Sequence, residues 1–187
     1  GVARPPASVP PSERGSCVTS YFGIFLDEPS KAQLDRAFPS LHATRSADHV
    51  TLIARPGNAD VLRLLPHVGE RCSVRVIAEC HDSRAQALRV QIDSPAIAPL
   101  CKNAHPHITL SHAVGAAAVY SNEMLAAQSM AASSIEGQAE QHTESGVTQH
   151  EVAFELSGVV GAMLEMERGL ELLTPRLRQQ LTEFVAE

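Results

Sequence analysis

Two short stretches, HVTL at residues 49–52 and HITL at residues 107–110, repeat the order His-x-Thr-Leu 58 residues apart. An imidazole takes up or gives a proton near neutral pH, and a hydroxyl two residues on can donate a hydrogen bond. In an extended strand, positions i and i+2 project from one face, so His49 stands beside Thr51 and His107 beside Thr109. Val50, Leu52, Ile108 and Leu110 project from the other face, where a core would take them. Two such strands facing each other would gather four polar groups around one small cavity. That set suits in-line hydrolysis of a phosphodiester. One imidazole acts as base on the water, the other as acid on the leaving oxygen, and the two hydroxyls bond the phosphate oxygens where charge accumulates. A strained five-membered cyclic phosphate needs less help than an unstrained diester, so a cyclic nucleotide end is a better fit than a polymer backbone.

A third His-x-Thr, at His42–Thr44, lacks the following aliphatic residue and sits in a polar stretch. It reads as chance. The competing use of the histidines is a zinc site made of Cys101, His105, His107 and His112. A strand over 106–112 would send His107 and His112 to opposite faces, and no second Cys/His pair with finger spacing is present. His67, His81, His142 and His150 read as surface or turn residues.

The elements that would position these groups follow from periodicity. Residues 17–26, 49–54, 72–80, 86–93, 105–112 and 152–166 read as strands, the last broken at Gly158 or Gly161. The segments 72–80 and 86–93 flank a turn-like HDSR and should pair as an antiparallel hairpin. Helices are expected over 28–38 with Pro29 near the start, over 58–65 with Asn58 as N-cap, over 120–132 with Ser121 or Asn122 as cap, and after Pro175. Residues 133–146 read as a loop, and the acidic 136–155 stretch as a solvated loop and strand edge. Interspersed strands and helices with a hairpin indicate an α+β fold with a largely antiparallel sheet.

Residues 1–16, rich in Pro, Ser and Arg, read as a linker or disordered tail before one domain over 17–187. They hold no apolar stretch of the secretory kind, and the missing initiator Met suggests a chain processed or cut from something longer. No apolar run reaches the length needed to span a bilayer. Four cysteines, Cys17, Cys72, Cys80 and Cys101, fit no Cys-x-x-Cys pattern and are expected to be reduced and mostly buried, as in the cytosol or nucleus. The net charge of −6 argues against a broad nucleic-acid surface. It is unevenly spread: residues 31–110 carry ten Lys and Arg against seven Asp and Glu, and residues 111–187 carry three against eleven. A small anion fits the first segment.

The chain resembles the two-histidine phosphoesterases, and within them the cyclic phosphodiesterase domain of fungal- and plant-type tRNA ligases. The resemblance rests on YFGIF (21–25), HVTL (49–52), NAHPHITL (103–110) and ELSG (155–158). It implies two pseudo-symmetric lobes of mainly antiparallel sheet with flanking helices and an active cleft between them. It implies hydrolysis of RNA 2′,3′-cyclic phosphate ends to 2′-phosphates with no metal and no cofactor, on tRNA exon halves, with ligase and kinase domains upstream in the same polypeptide. It gives His107 the role of base, His49 that of acid, and Thr51 and Thr109 the grip on phosphate. Tyr21 or Phe22 would stack on the terminal base, and Arg55, just past the first motif, would touch a substrate phosphate. SHAVGAAAV after the second motif matches no assignable pattern. Two other classes compete: a non-catalytic nucleotide-binding module of the same fold, and a phosphodiesterase for another small cyclic or 2′–5′-linked nucleotide.

Overall fold

The computed structural model of the protein describes residues 18–134, 146–166 and 169–172. The tail over 1–16 and the helix expected after Pro175 lie outside the described residues, as does most of the loop expected over 133–146. Alternating apolar and polar residues, rich in Val, Ile and Phe, build the strands β1 (Val18–Leu26), β3 (His49–Ala54), β4 (Arg71–His81), β5 (Ala85–Ile92) and β6 (His107–His112). A short β2 (Thr44–Arg45), a long β7 (Gly146–Met166) and β8 (Gly169–Leu172) complete the sheet. The helices are α1 (Glu28–Ala37), α2 (Asn58–Leu64) and α3 (Tyr120–Ser134).

The sheet closes on itself. The order β1-β3-β6-β5-β4-β7 ends with β7 pairing back onto β1, every pair antiparallel. Closure removes the free edges that an open sheet would expose. The fold is thus the α+β, mainly antiparallel architecture read from the sequence, with its two lobes built as two halves of one ring. β4 and β5 form the expected hairpin.

The main core lies between one face of the sheet and the helices α1 and α2, and in it Ile24, Leu34, Val50, Leu52, Leu88, Ile108, Leu110 and Leu164 are completely buried. A bulge at Val76/Ala78 switches β4 to the other face of the sheet, and there the side chains turn small. Ala78, Cys80, Ala85 and Ala87 leave room for α3, which seats Met124 and Leu125 on them as a second cluster. α3 is thereby held on the face of β5 away from the main core, next to the second His-x-Thr strand. Cys72 and Cys80 are buried free thiols, and Cys101 is a half-buried one.

Three expectations about the elements need correction. β7 is not broken at Gly158 or Gly161. It runs through both, pairing Gly158 with Leu26 and with Cys72. A Cβ at Gly158 would stand 2.6 Å from the Phe25 carbonyl oxygen, so this glycine allows close strand approach where it was read as a breaker. α2 is capped by Gly57, with Asn58 its first helical residue. α3 starts at Tyr120, which puts Ser121 inside the first turn with a different partner, described below.

The cap of α1 does more than end a helix. Asp27 Oδ1 accepts from the Ser30 N–H at 3.0 Å, while Ser30 Oγ accepts from the Ser157 N–H at 2.8 Å, pinning α1 to β7. Phe22 is buried in the core, so of the two candidate aromatics only Tyr21 is partly exposed.

Candidate active site

The two motif strands lie side by side in the ring, and they meet at a single residue pair, Val50 with Ile108. Each of those residues is fully buried, as are Leu52 and Leu110. The alternating residues His49, Thr51, His107 and Thr109 therefore share the opposite face around that one contact. β3 is bracketed by two residues with left-handed backbone, Ala47 (φ 43°) and Arg55 (φ 50°). Ala47 is held there by its N–H bond to Thr109 O at 2.8 Å, which ties the entry of the first motif to the second.

His49 sits at the open side. Its Nδ1 lies 2.6 Å from Asp48 Oδ1, and its ring stacks on Tyr21 (5.0 Å between centroids) and Phe25 (5.6 Å). Gly23 lies under it, where a Cβ would come 3.6 Å from its Cδ2 and 2.8 Å from Val50 O. Partial burial works to raise the Asp48 carboxyl, but the hydrogen bond and charge of His49 outweigh it and hold Asp48 below the usual carboxylate range. An ionised Asp48 accepts the Nδ1 proton and leaves Nε2 as the atom facing outward.

His107 is the buried one, 6% exposed. Burial pushes its pKa down, the hydrogen bond to His105 O works upward, and the charges of His49 and His105 push it down again; the net shift is downward. Its Nδ1 lies 2.7 Å from the His105 carbonyl oxygen. A carbonyl only accepts, so Nδ1 carries the proton and Nε2 of the neutral ring has a free lone pair.

The hydroxyls also differ. Thr109 donates to Ser121 Oγ at 3.0 Å, and Ser121 is completely buried in the first turn of α3. The Thr51 hydroxyl has no hydrogen-bond partner among the described residues, and it forms one wall of a cavity of about 430 Å³. Arg55 lines the same cavity four residues further on, exposed to solvent. Tyr21, half-buried, packs against His49 and Phe25; burial first, and then the Asp48 charge, raise its hydroxyl above the ordinary tyrosine range.

The structure thus brings His49, Thr51, His107, Thr109 and Tyr21 together and sets Arg55 at the far end of the adjoining cavity. Sequence reasoning missed Asp48, Phe25 and Ser121. Asp48 had a local signal, a carboxylate directly before the first motif. Ser121 had none, because its link to Thr109 depends on where α3 lands. The zinc candidates turn to separate backbone carbonyls: Cys101 to Asn103, His107 to His105 and His112 to Ala113. The third His-x-Thr is less isolated than expected, since Thr44 pairs with His112 in the short β2–β6 ladder.

Two imidazoles with different partners on adjoining strands, each beside a hydroxyl, define a site of the two-histidine phosphoesterase kind. The family model of the fungal tRNA ligase phosphodiesterase domain matches residues 41–164, and the chain belongs to that family. That places it among phosphodiesterase domains. The match takes in both motif strands and leaves Tyr21 outside. None of the curated proteins compared matches the chain. Among solved structures, the crystal structure of a fungal RNA kinase aligns with a TM-score of 0.55 at 17% identity, over 78% of this chain and 44% of that one. That likeness shows the shared fold, and the chain spans less than half of that structure's length.

Proposed function

We propose that the protein hydrolyses the 2′,3′-cyclic phosphate at an RNA 3′ end to a 2′-phosphate. The observation carrying this reading is the opposite setting of the two histidines across the Val50–Ile108 contact. His107, kept neutral by burial, presents a free Nε2 lone pair and takes a proton from the attacking water. His49, with its Nδ1 proton on the Asp48 carboxylate, is the ring arranged to carry a second proton on Nε2, and it gives that proton to the departing 3′ oxygen. The P–O3′ bond breaks opposite the new P–O bond, leaving a 2′-phosphate and a 3′-hydroxyl.

Thr51 and Thr109 donate to the non-bridging oxygens. For Thr109 the Ser121 hydroxyl turns to donate to it, freeing its own proton for the phosphate. The two imidazoles supply both proton transfers, so the reaction as drawn needs no metal-bound water. A non-catalytic nucleotide module would have no use for one imidazole held neutral beside another paired to a carboxylate. In the proposed setting the substrates are tRNA exon halves, the partners are ligase and kinase domains of the same polypeptide, and the place is the cytoplasm or nucleus.

The test is incubation with adenosine 2′,3′-cyclic phosphate and EDTA, with the product identified by phosphorus NMR. Adenosine 2′-phosphate is expected. The 3′-phosphate would reverse the leaving group and with it the two histidine roles, and an unhydrolysed, bound nucleotide would overturn the catalytic reading.

A further inference from the structure

The catalytic reading uses only one wall of the 430 Å³ cavity beside Thr51. That volume lies within the roughly 300–1,000 Å³ of small-molecule sites, far more room than a phosphate needs. The cavity runs along the end of β3 from Thr51 to Arg55. Its other side is Lys102, Asn103 and Ala104, closed against β3 by the N–H groups of Lys102 and Asn103 on Leu52 O. Asn122, next to the Ser121 that holds Thr109, completes it at the first turn of α3. It therefore adjoins the catalytic site through Thr51, one of the two hydroxyls that would grip a phosphate.

Its lining mixes apolar residues, Leu52, Ile53, Ala54 and Ala104, with polar and charged ones. Lys102 Nζ is held by Asp60 Oδ1 at 2.6 Å, so that pair is neutral overall. Arg55 is the cation left over, with no carboxylate bonded to it among the described residues. Its left-handed backbone, φ 50°, costs on the order of 1 kcal/mol or more in a residue with a side chain, while Gly57 stands two positions on. An arginine kept at such a position points to work done by its guanidinium, and bidentate phosphate binding is what that group does best. From Thr51 to Ala54 alone the strand covers about 10 Å at ~3.3 Å per residue, which leaves room for a second phosphate between the motif and Arg55.

We propose that this cavity binds the nucleotide on the 5′ side of the cyclic end, with Arg55 on the phosphodiester that joins it to the terminal nucleotide. The inference rests on the cyclic phosphodiesterase reading and adds the place that holds the strand behind the cyclic end, which would make an RNA strand a better substrate than a free cyclic mononucleotide. Asn103 and Asn122 line the same space; Asn103 Oδ1 accepts from the His105 N–H and Asn122 Nδ2 donates to the Val119 carbonyl, which leaves the other atom of each carboxamide for a base edge.

The experiment compares kcat/KM for adenosine 2′,3′-cyclic phosphate and for adenylyl-adenosine ending in the same cyclic phosphate. The unaltered protein should prefer the dinucleotide by about tenfold or more, the worth of one good phosphate contact. Arg55→Ala should bring the ratio close to one, and Arg55→Lys should restore part of it; circular dichroism checks that each variant is folded. Equal kcat/KM for both substrates in the unaltered protein would overturn the subsite, and so would an Arg55→Ala variant that leaves the ratio intact. Mononucleotide turnover that disappears in His107→Ala shows that the catalytic reading stands even where the subsite fails. Turnover of neither substrate would overturn both.

Discussion

The first and second His-x-Thr strands carry nearly the same four residues and end in different environments. On β3 the histidine is half-exposed, stacked on Tyr21 and Phe25, and bonded to a carboxylate. On β6 it is buried, bonded to a backbone carbonyl, and pushed toward its neutral form. The threonines repeat the contrast, Thr109 anchored to α3 through Ser121 and Thr51 open to the cavity. A repeated motif thus supplies two copies of one chemistry, and on the proposed reading the different surroundings fit one copy to act as acid and the other as base.

Removing either imidazole is the harshest way to break that division. His49→Ala and His107→Ala are each expected to lower turnover of a cyclic nucleotide by about 10²–10⁴-fold while the protein still folds. The two should differ in what restores them. A substrate with a leaving oxygen that needs no proton, such as a nitrophenyl ester, should recover much of the loss in His49→Ala and little in His107→Ala. Steady-state kinetics on both substrates checks this. Equal recovery would erase the difference between the strands.

How much of this was legible in the sequence follows the range of the interactions. The motif strands, the hairpin and the core faces were readable because alternation over six to nine residues is a local signal. Val50, Leu52, Ile108 and Leu110 fell in the core as alternation required. Gly158 was misread because its reason lies on another strand, the Phe25 carbonyl that leaves no room for a Cβ. The proposed acid and base roles were not legible from the residues, since the burial of His107 depends on the packing around it. The resemblance alone supplied them. Ser121 was mistaken for a cap because a serine near a helix start usually is one, and here a buried partner at position 109 claims it.

A milder test keeps His49 and alters only its partner. Asp48→Asn is expected to reduce kcat by about tenfold with KM little changed, because a carboxamide can present either an acceptor or a donor to Nδ1 and so no longer fixes the ring's tautomer. The nitrogen-15 shifts of the His49 ring should show the mixture of tautomers directly. An unchanged kcat with an unchanged spectrum would leave Asp48 as a mere neighbour.

The smallest expected effect concerns stability, and it sharpens the contrast from the buried side. His107 has a pKa below the ordinary imidazole value of about 6.5, chiefly because burial disfavours its charged form. The unfolded chain therefore binds this proton more readily than the folded one. Stability falls as the pH drops through the unfolded value and levels off below the folded one; above about pH 6.5 the residue contributes no slope. His107→Gln removes that contribution and leaves the other eight of the nine histidines in place. Urea unfolding from about pH 7.5 down to about pH 5 should show a shallower loss of stability in His107→Gln than in the unaltered protein. His49→Gln, made in parallel, controls for the loss of an imidazole from the open side. A steeper loss in His107→Gln would mean that the fold favours the charged ring, and a ring held charged could not be the base.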